Sequence, residues 1–86
     1  MIYTVFITEY AIRQLKNLPP QVVATLKEAI AGLANDPRPY NHIKLTNVEA
    51  YRIRVGNYRV VYEVNDNVLT VTVVEISDRK ETYKKR

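Results

Sequence analysis

The sequence predicts a small α+β domain: an N-terminal strand, a two-helix hairpin, then a three-stranded antiparallel meander whose apolar side packs on the helices. Three observations carry this. Strictly alternating side chains flank Gly56-Asn57, a dipeptide suited to a two-residue β-turn. Apolar residues recur at helical spacing between Ala11 and Leu33 and are interrupted by Pro19-Pro20. A β-rich run from Val68 to Ile76 follows the turn cluster Asn65-Asp66-Asn67.

Taken in order, Ile2 to Ile7 reads as the first strand, and Thr8 can cap the helix after it. Ala11, Ile12, Leu15 and Leu18 form the inward stripe of that helix, leaving Arg13, Gln14 and Lys16 outward. Pro20 or Gln21 opens the second helix, whose stripe is Val22, Val23, Leu26, Ile30 and Leu33. Ala24 and Ala31 would let the helices approach closely, and Pro37 would stop the second one. Asp36 to Glu49 has no clear period, and Leu45 is its expected anchor to the core. The chain closes on either a short helix, with Asp78 and Glu81 as a capping box, or an extended basic tail.

In the hairpin, a two-residue loop sets Val55 against Tyr58, Arg54 against Arg59, Ile53 against Val60 and Arg52 against Val61. Tyr51, Ile53, Val55, Tyr58, Val60 and Tyr62 then share the core side. Arg52, Arg54 and Arg59 share the other. With an even loop at the next turn, Val60, Tyr62 and Val64 align with Leu69, Val71 and Val73 on the core face. Arg59, Val61 and Glu63 align with Thr70, Thr72 and Val74 on the opposite face. Like charges directly opposite each other cost on the order of 0.2 to 1 kcal/mol. An anion laid across the ribbon reverses that sign, so a phosphate backbone is the first partner to consider. From the charge alone, solvation of the arginines, or cover by an acidic protein partner, is the more ordinary account, since charged faces are usually just solvated.

With 47% apolar side chains in 86 residues, the chain is expected to form one domain, residues 1–86. It has no cysteine, which excludes disulfides, thiolate metal sites and cysteine nucleophiles and fits a reducing cytoplasm. The apolar N-terminal run is too short to span a bilayer or act as a signal peptide, so a soluble cytoplasmic protein is expected. Net charge is +4, and nine of the 13 Lys and Arg residues fall at or after Lys44.

There is no Gly-rich phosphate loop, no metal-ligand spacing and no Ser/His/Asp set. No cofactor is expected. His42 is the single histidine and reads as ordinary surface or, at most, a substrate contact. Arginine, lysine and tyrosine remain. They suffice for RNA cleavage, because the 2′-hydroxyl is a built-in nucleophile that needs alignment, loss of a proton and neutralisation of the crowded phosphate. Tyr83 lies four residues after Arg79, so the two share a side whether the segment is helical or extended. Surrounding positive charge would lower the pKa of a phenol toward use as a base. Tyr83 reads equally as a packed aromatic.

The order of elements, together with Lys44-Leu45, Tyr51-Arg-Ile-Arg-Val-Gly-Asn-Tyr-Arg-Val-Val-Tyr62 and Val74-Glu-Ile-Ser-Asp-Arg-Lys-Glu-Thr-Tyr83, resembles the RelE/ParE toxin superfamily of toxin-antitoxin systems. The resemblance covers essentially the whole chain and favours the RelE branch. It implies a type II toxin that cleaves mRNA in the ribosomal A site by 2′-hydroxyl attack without metal. Under it, Arg59, Arg79 and Tyr83 are catalytic, and Arg52, Arg54, Lys44, Lys80 and Lys84 bind RNA. It also implies a cognate antitoxin, mRNA and the ribosome as partners, no membrane, and DNA contact only through an antitoxin complex. Arginines stand at 52 and 54 where the RelE branch has lysine, and no C-terminal histidine is present. Arginine holds its proton far more tightly than lysine, so charge neutralisation is the role these positions retain. The ParE branch implies a gyrase poison without nuclease activity.

Overall fold

Alternation and helical periodicity sort the chain into seven elements, seen in a computed structural model that describes residues 2–78. They are β1 (Thr4–Ile7), α1 (Glu9–Lys16), α2 (Pro20–Gly32), β2 (Ile43–Lys44), β3 (Ala50–Val55), β4 (Tyr58–Asn65) and β5 (Thr70–Asp78). The strands form one sheet in the order β1-β5-β4-β3-β2. The β3–β4–β5 meander is antiparallel, and β1 lies parallel to β5.

The hairpin register is the one alternation demands, from Tyr51 opposite Tyr62 to Val55 opposite Tyr58. Gly56 takes φ +61, and a positive φ at the first turn residue is what a II′ hairpin turn needs. Tyr51, Ile53, Val60, Tyr62, Val64, Val71, Val73 and Ile76 are buried, with Ala11, Leu15, Leu26, Ile30 and Leu33 from the helical side. Thr8 caps α1, its Oγ1 accepting from the Ala11 amide at 3.2 Å.

Several expectations need correction. The first strand starts at Thr4, leaving Ile2 71% exposed. Ile12 is on the outer side of α1, whereas Gln14 points inward and accepts from the Ile76 amide at 2.6 Å. Ala24 and Ala31 are exposed and do not mediate helix packing. Helix α2 ends at Gly32, ahead of Pro37, where Leu33 N–H turns back to Ile30 O. The long segment carries a strand of its own, because Ile43 and Lys44 pair with Arg52 and Tyr51. Strand β5 starts at Thr70 rather than Val68, since Leu69 sits in the turn with φ 52. It also runs through Asp78, the residue expected to cap a terminal helix; Glu81 and the rest of that segment lie outside the described residues.

The register between β4 and β5 shifts by one residue. Tyr62 faces Val73, but Val61 faces Glu75, so Val74 is extra. The shift turns Ile76 into the core and sends Glu75 and Ser77 to the side of Arg59. Strand β1 ends at Ile7 opposite Val73, and beyond it side chains of the α1 region serve the edge of β5. Thr8 Oγ1 reaches Val74 O at 3.5 Å, and Gln14 takes the Ile76 amide.

A polar knot closes the opposite end. Arg38 donates from Nε to the Tyr51 hydroxyl at 3.0 Å and from both Nη atoms to the Asp66 carboxylate at 3.2 and 2.8 Å. Tyr3 donates its hydroxyl to the same carboxylate at 2.6 Å. The segment after α2 is thereby tied to β1, β3 and the β4–β5 turn. Tyr62 stacks on Tyr51 and donates to Pro37 O at 2.6 Å.

Replacing Gln14 by Ala strands the Ile76 amide. We expect a loss of about 1 to 3 kcal/mol in urea unfolding, the usual cost of an unsatisfied polar group, whereas Gln14→Glu keeps an acceptor and loses less. Burial pushes the Tyr62 phenol up to about 12. The unfolded chain ionises this residue near its ordinary value of 10.0 while the folded chain keeps the proton, so stability falls between those pH values. Tyr62→Phe should remove that part of the alkaline loss. Hydrogen bonds from Arg38 and then Tyr3 hold Asp66 below the ordinary carboxylate range. Its contribution is present above the unfolded value of 3.8 and disappears as pH falls through the depressed folded value. Asp66→Asn should flatten that acid limb in denaturation curves.

Candidate RNA-binding face

Each strand that buries every second residue presents the intervening ones on the other side of the sheet. No element among the described residues covers that side. From the hairpin turn inward, its first row is Arg54, Arg59 and Ser77, and its second is Ile43, Arg52, Val61 and Glu75. Glu63, Thr72 and Phe6 follow, then Asn65, Thr70 and Thr4.

Arg54 stands directly opposite Arg59, in a pair geometry that brings Cβ atoms to about 4.5 to 5.5 Å. Arg54 is exposed, whereas Arg52 and Arg59 are half-buried. Three guanidinium groups on adjoining positions of two strands create a concentrated positive field on a rigid ribbon. Planar forks of this kind match phosphate oxygens. The cluster can bind an anionic backbone and offset charge that develops on a phosphate.

The other expected site residues fall elsewhere. Lys44 pairs across from Tyr51, so its strand parity is that of the helix-covered side at the sheet edge, and its Nζ lies 3.7 Å from Glu49. His42 packs edge-on against Tyr51 at 5.6 Å, and its Nδ1 is 2.6 Å from Pro39 O, which gives it a place in the tyrosine stack. Arg79, Lys80, Tyr83 and Lys84 lie outside the described residues.

Glu75 and Ser77 are on this face although strict alternation does not put them there. The signal was the spacing of Val71, Val73 and Ile76, which a single strand cannot bury on one side without one extra residue. Ile43 was hidden by the brevity of β2, and it adds a half-exposed apolar side chain beside Arg52. At the far end of the sheet, Glu49, Glu63 and Asp66 contribute to a depression of about 680 Å³ with Thr70 and Thr72. Its acidic lining separates it from the arginine end. Among the described residues, no group of His, Asp and Glu side chains is placed to hold a metal ion, and no helix is long and apolar enough to cross a membrane.

The model of the ParE toxin family of type II toxin-antitoxin systems matches residues 5–83. Toxin RelG of Mycobacterium tuberculosis is 31% identical, with 99% of this chain and 100% of that protein aligned. Toxin RelE of the same organism is 33% identical over 95% of this chain and 87% of its own length. In the crystal structure of the archaeal RelE-RelB complex from Pyrococcus horikoshii, one chain superposes with a TM-score of 0.83 at 29% identity, covering 92% of this chain and 97% of that one. A hairpin of this register on this strand order, matched in sequence and backbone along nearly the whole chain, means that the protein belongs to the RelE/ParE superfamily of type II toxins, in its RelE-like branch.

Proposed function

We propose that this toxin is a ribosome-dependent endoribonuclease that cleaves mRNA in the A site. The observation that carries the reading is the placement of Arg54 against Arg59, with Arg52 beside them, on the face turned away from the helices. Like charges directly opposite each other repel, and an RNA phosphate laid across the pair is attracted to both.

Arg52 and Arg54 hold the backbone, with Lys44, Lys80 and Lys84 as further contacts to RNA. Tyr83, as a phenolate stabilised by the surrounding positive charge, takes the proton of the 2′-hydroxyl and becomes the neutral phenol as the 2′-oxygen attacks the adjacent phosphorus. The bond from phosphorus to the 5′-oxygen breaks, and water protonates the departing oxygen. The products are a 2′,3′-cyclic phosphate and a free 5′-hydroxyl, with no metal or other cofactor consumed. Arg59 and Arg79 offset the charge on the phosphate in the transition state. Both arginines keep their protons throughout, which suits charge neutralisation rather than proton transfer.

The partner that restrains the toxin is a cognate antitoxin, supported by the RelB complexes in which the relatives' structures were determined. An acidic, amphipathic segment of it would cover the arginine face and compete with RNA. The setting is the cytoplasm, where ribosomes and mRNA are found.

A second reading is a gyrase inhibitor without nuclease activity, favoured by the family description that matches, which is that of ParE. Primer extension on mRNA from cells after brief induction separates the two. Codon-phased breaks that vanish when translation is blocked support the nuclease, and intact mRNA together with inhibited supercoiling selects the gyrase inhibitor. Arg59→Ala should slow A-site cleavage by about 10²- to 10³-fold, and Tyr83→Phe by about 10²- to 10⁴-fold, with both variants folded by circular dichroism. Full cleavage by Tyr83→Phe removes the phenol as base.

A further inference from the structure

The uncovered face is divided by charge, and the division has an orientation. The three arginines occupy β3 and the hairpin end of β4. Two carboxylates bound them. Glu75 lies on β5 opposite Val61, which makes it the diagonal neighbour of Arg59 at about 7 to 8 Å. Glu63 lies on β4 opposite Ala50, which makes it the diagonal neighbour of Arg52 at about 7 to 8 Å.

Among the described residues, neither carboxylate has a Lys or Arg nitrogen within 4.0 Å. Each residue therefore sets a carboxylate at the margin of the arginine cluster without closing an ion pair with it. Glu63 is exposed and Glu75 half-buried, and both sit within or close to a Debye length of ~8 Å from groups that a bound phosphate would approach. The register shift at Val74 is what puts Glu75 on this face.

We infer that Glu63 and Glu75 form an acidic boundary that confines an RNA strand to the hairpin end of the sheet. The inference rests on the reading of this face as an RNA surface and adds the path. A backbone seated on Arg54 and Arg59 is turned back from β5 by Glu75 and from the far half of β4 by Glu63. The direction left open runs over Arg52 to the β2 edge, where Ile43 offers an apolar platform for a base or ribose and Lys44 stands at the rim. The footprint on the protein is consequently short, near the lower end of the roughly 4 to 16 nucleotides typical of single-strand sites.

The test is binding of single-stranded oligoribonucleotides to the full chain, followed by fluorescence anisotropy across a salt series. Glu63→Gln and Glu75→Gln are compared with Glu28→Gln, which removes the same charge from the exposed side of α2. For a long oligonucleotide, each boundary variant should bind about threefold more tightly than Glu28→Gln and the double variant about tenfold, since only nearby charge survives screening. For a probe of about four nucleotides the variants should match. The double variant should also show a steeper salt dependence, by about 0.7 in log–log slope for each additional phosphate it neutralises. Boundary variants indistinguishable from Glu28→Gln overturn the inference and leave the RNA reading standing. Binding that is unchanged when Arg54 and Arg59 are replaced by Ala overturns the RNA reading, and the boundary with it.

Discussion

A β-strand can give only alternate residues to a core, and in this sheet that constraint is enforced by side chains with no tolerance for error. Val60 and Tyr62 on β4 are wholly shielded from solvent, as are Val71 and Val73 on β5. Slipping β4 by one residue would bury Arg59, Val61 and Glu63 in their place, and an unpaired buried charge costs far more than the core could return. The arginines are held on the uncovered side by the apolar residues between them. Positioning a functional group and closing the core are therefore the same event.

The exception to alternation matters as much as the rule. Without the extra residue at Val74, Glu75 would point at the helices and Ile76 at water. The irregular segment survives because α1 supplies what a neighbouring strand would have supplied, through Thr8 and Gln14. A helix that reads as simple core cover thus also shapes the charge pattern on the far side of the sheet. At the other end, Arg38 is engaged by Asp66 and Tyr51. Its ion pair is partly exposed and its carboxylate partner open to solvent, so the value of the knot lies in geometry, joining three separated segments, more than in Coulomb energy.

In a toxin of this superfamily, the basic ribbon supplies fixed positive charge on the uncovered face of the sheet. Under the proposed reading, RNA brings its own nucleophile, and the ribbon's part is to align the backbone and spread charge over fixed cations. The same ribbon has the charge to suit an acidic segment of a protein partner. Glu63 and Glu75 at the margin of the arginines give the face a charge gradient from the hairpin end inward.

Much of this was legible in the sequence by itself. The hairpin from Tyr51 to Tyr62, its register, the sides taken by Arg52, Arg54 and Arg59, the cap at Thr8 and the start of α2 at Pro20 all follow from periodicity and turn chemistry within a dozen residues. The interactions that lay beyond reach join residues far apart in the chain: β1 beside β5, the two-residue strand β2, Gln14 on the Ile76 amide, and Arg38 on Asp66. Local sequence determines which face a side chain takes, because alternation is a property of the strand. Which strand lies alongside, where a ladder absorbs an extra residue and which distant group satisfies a stranded amide are settled only when the whole core closes, since they depend on the packing of elements that no local window contains.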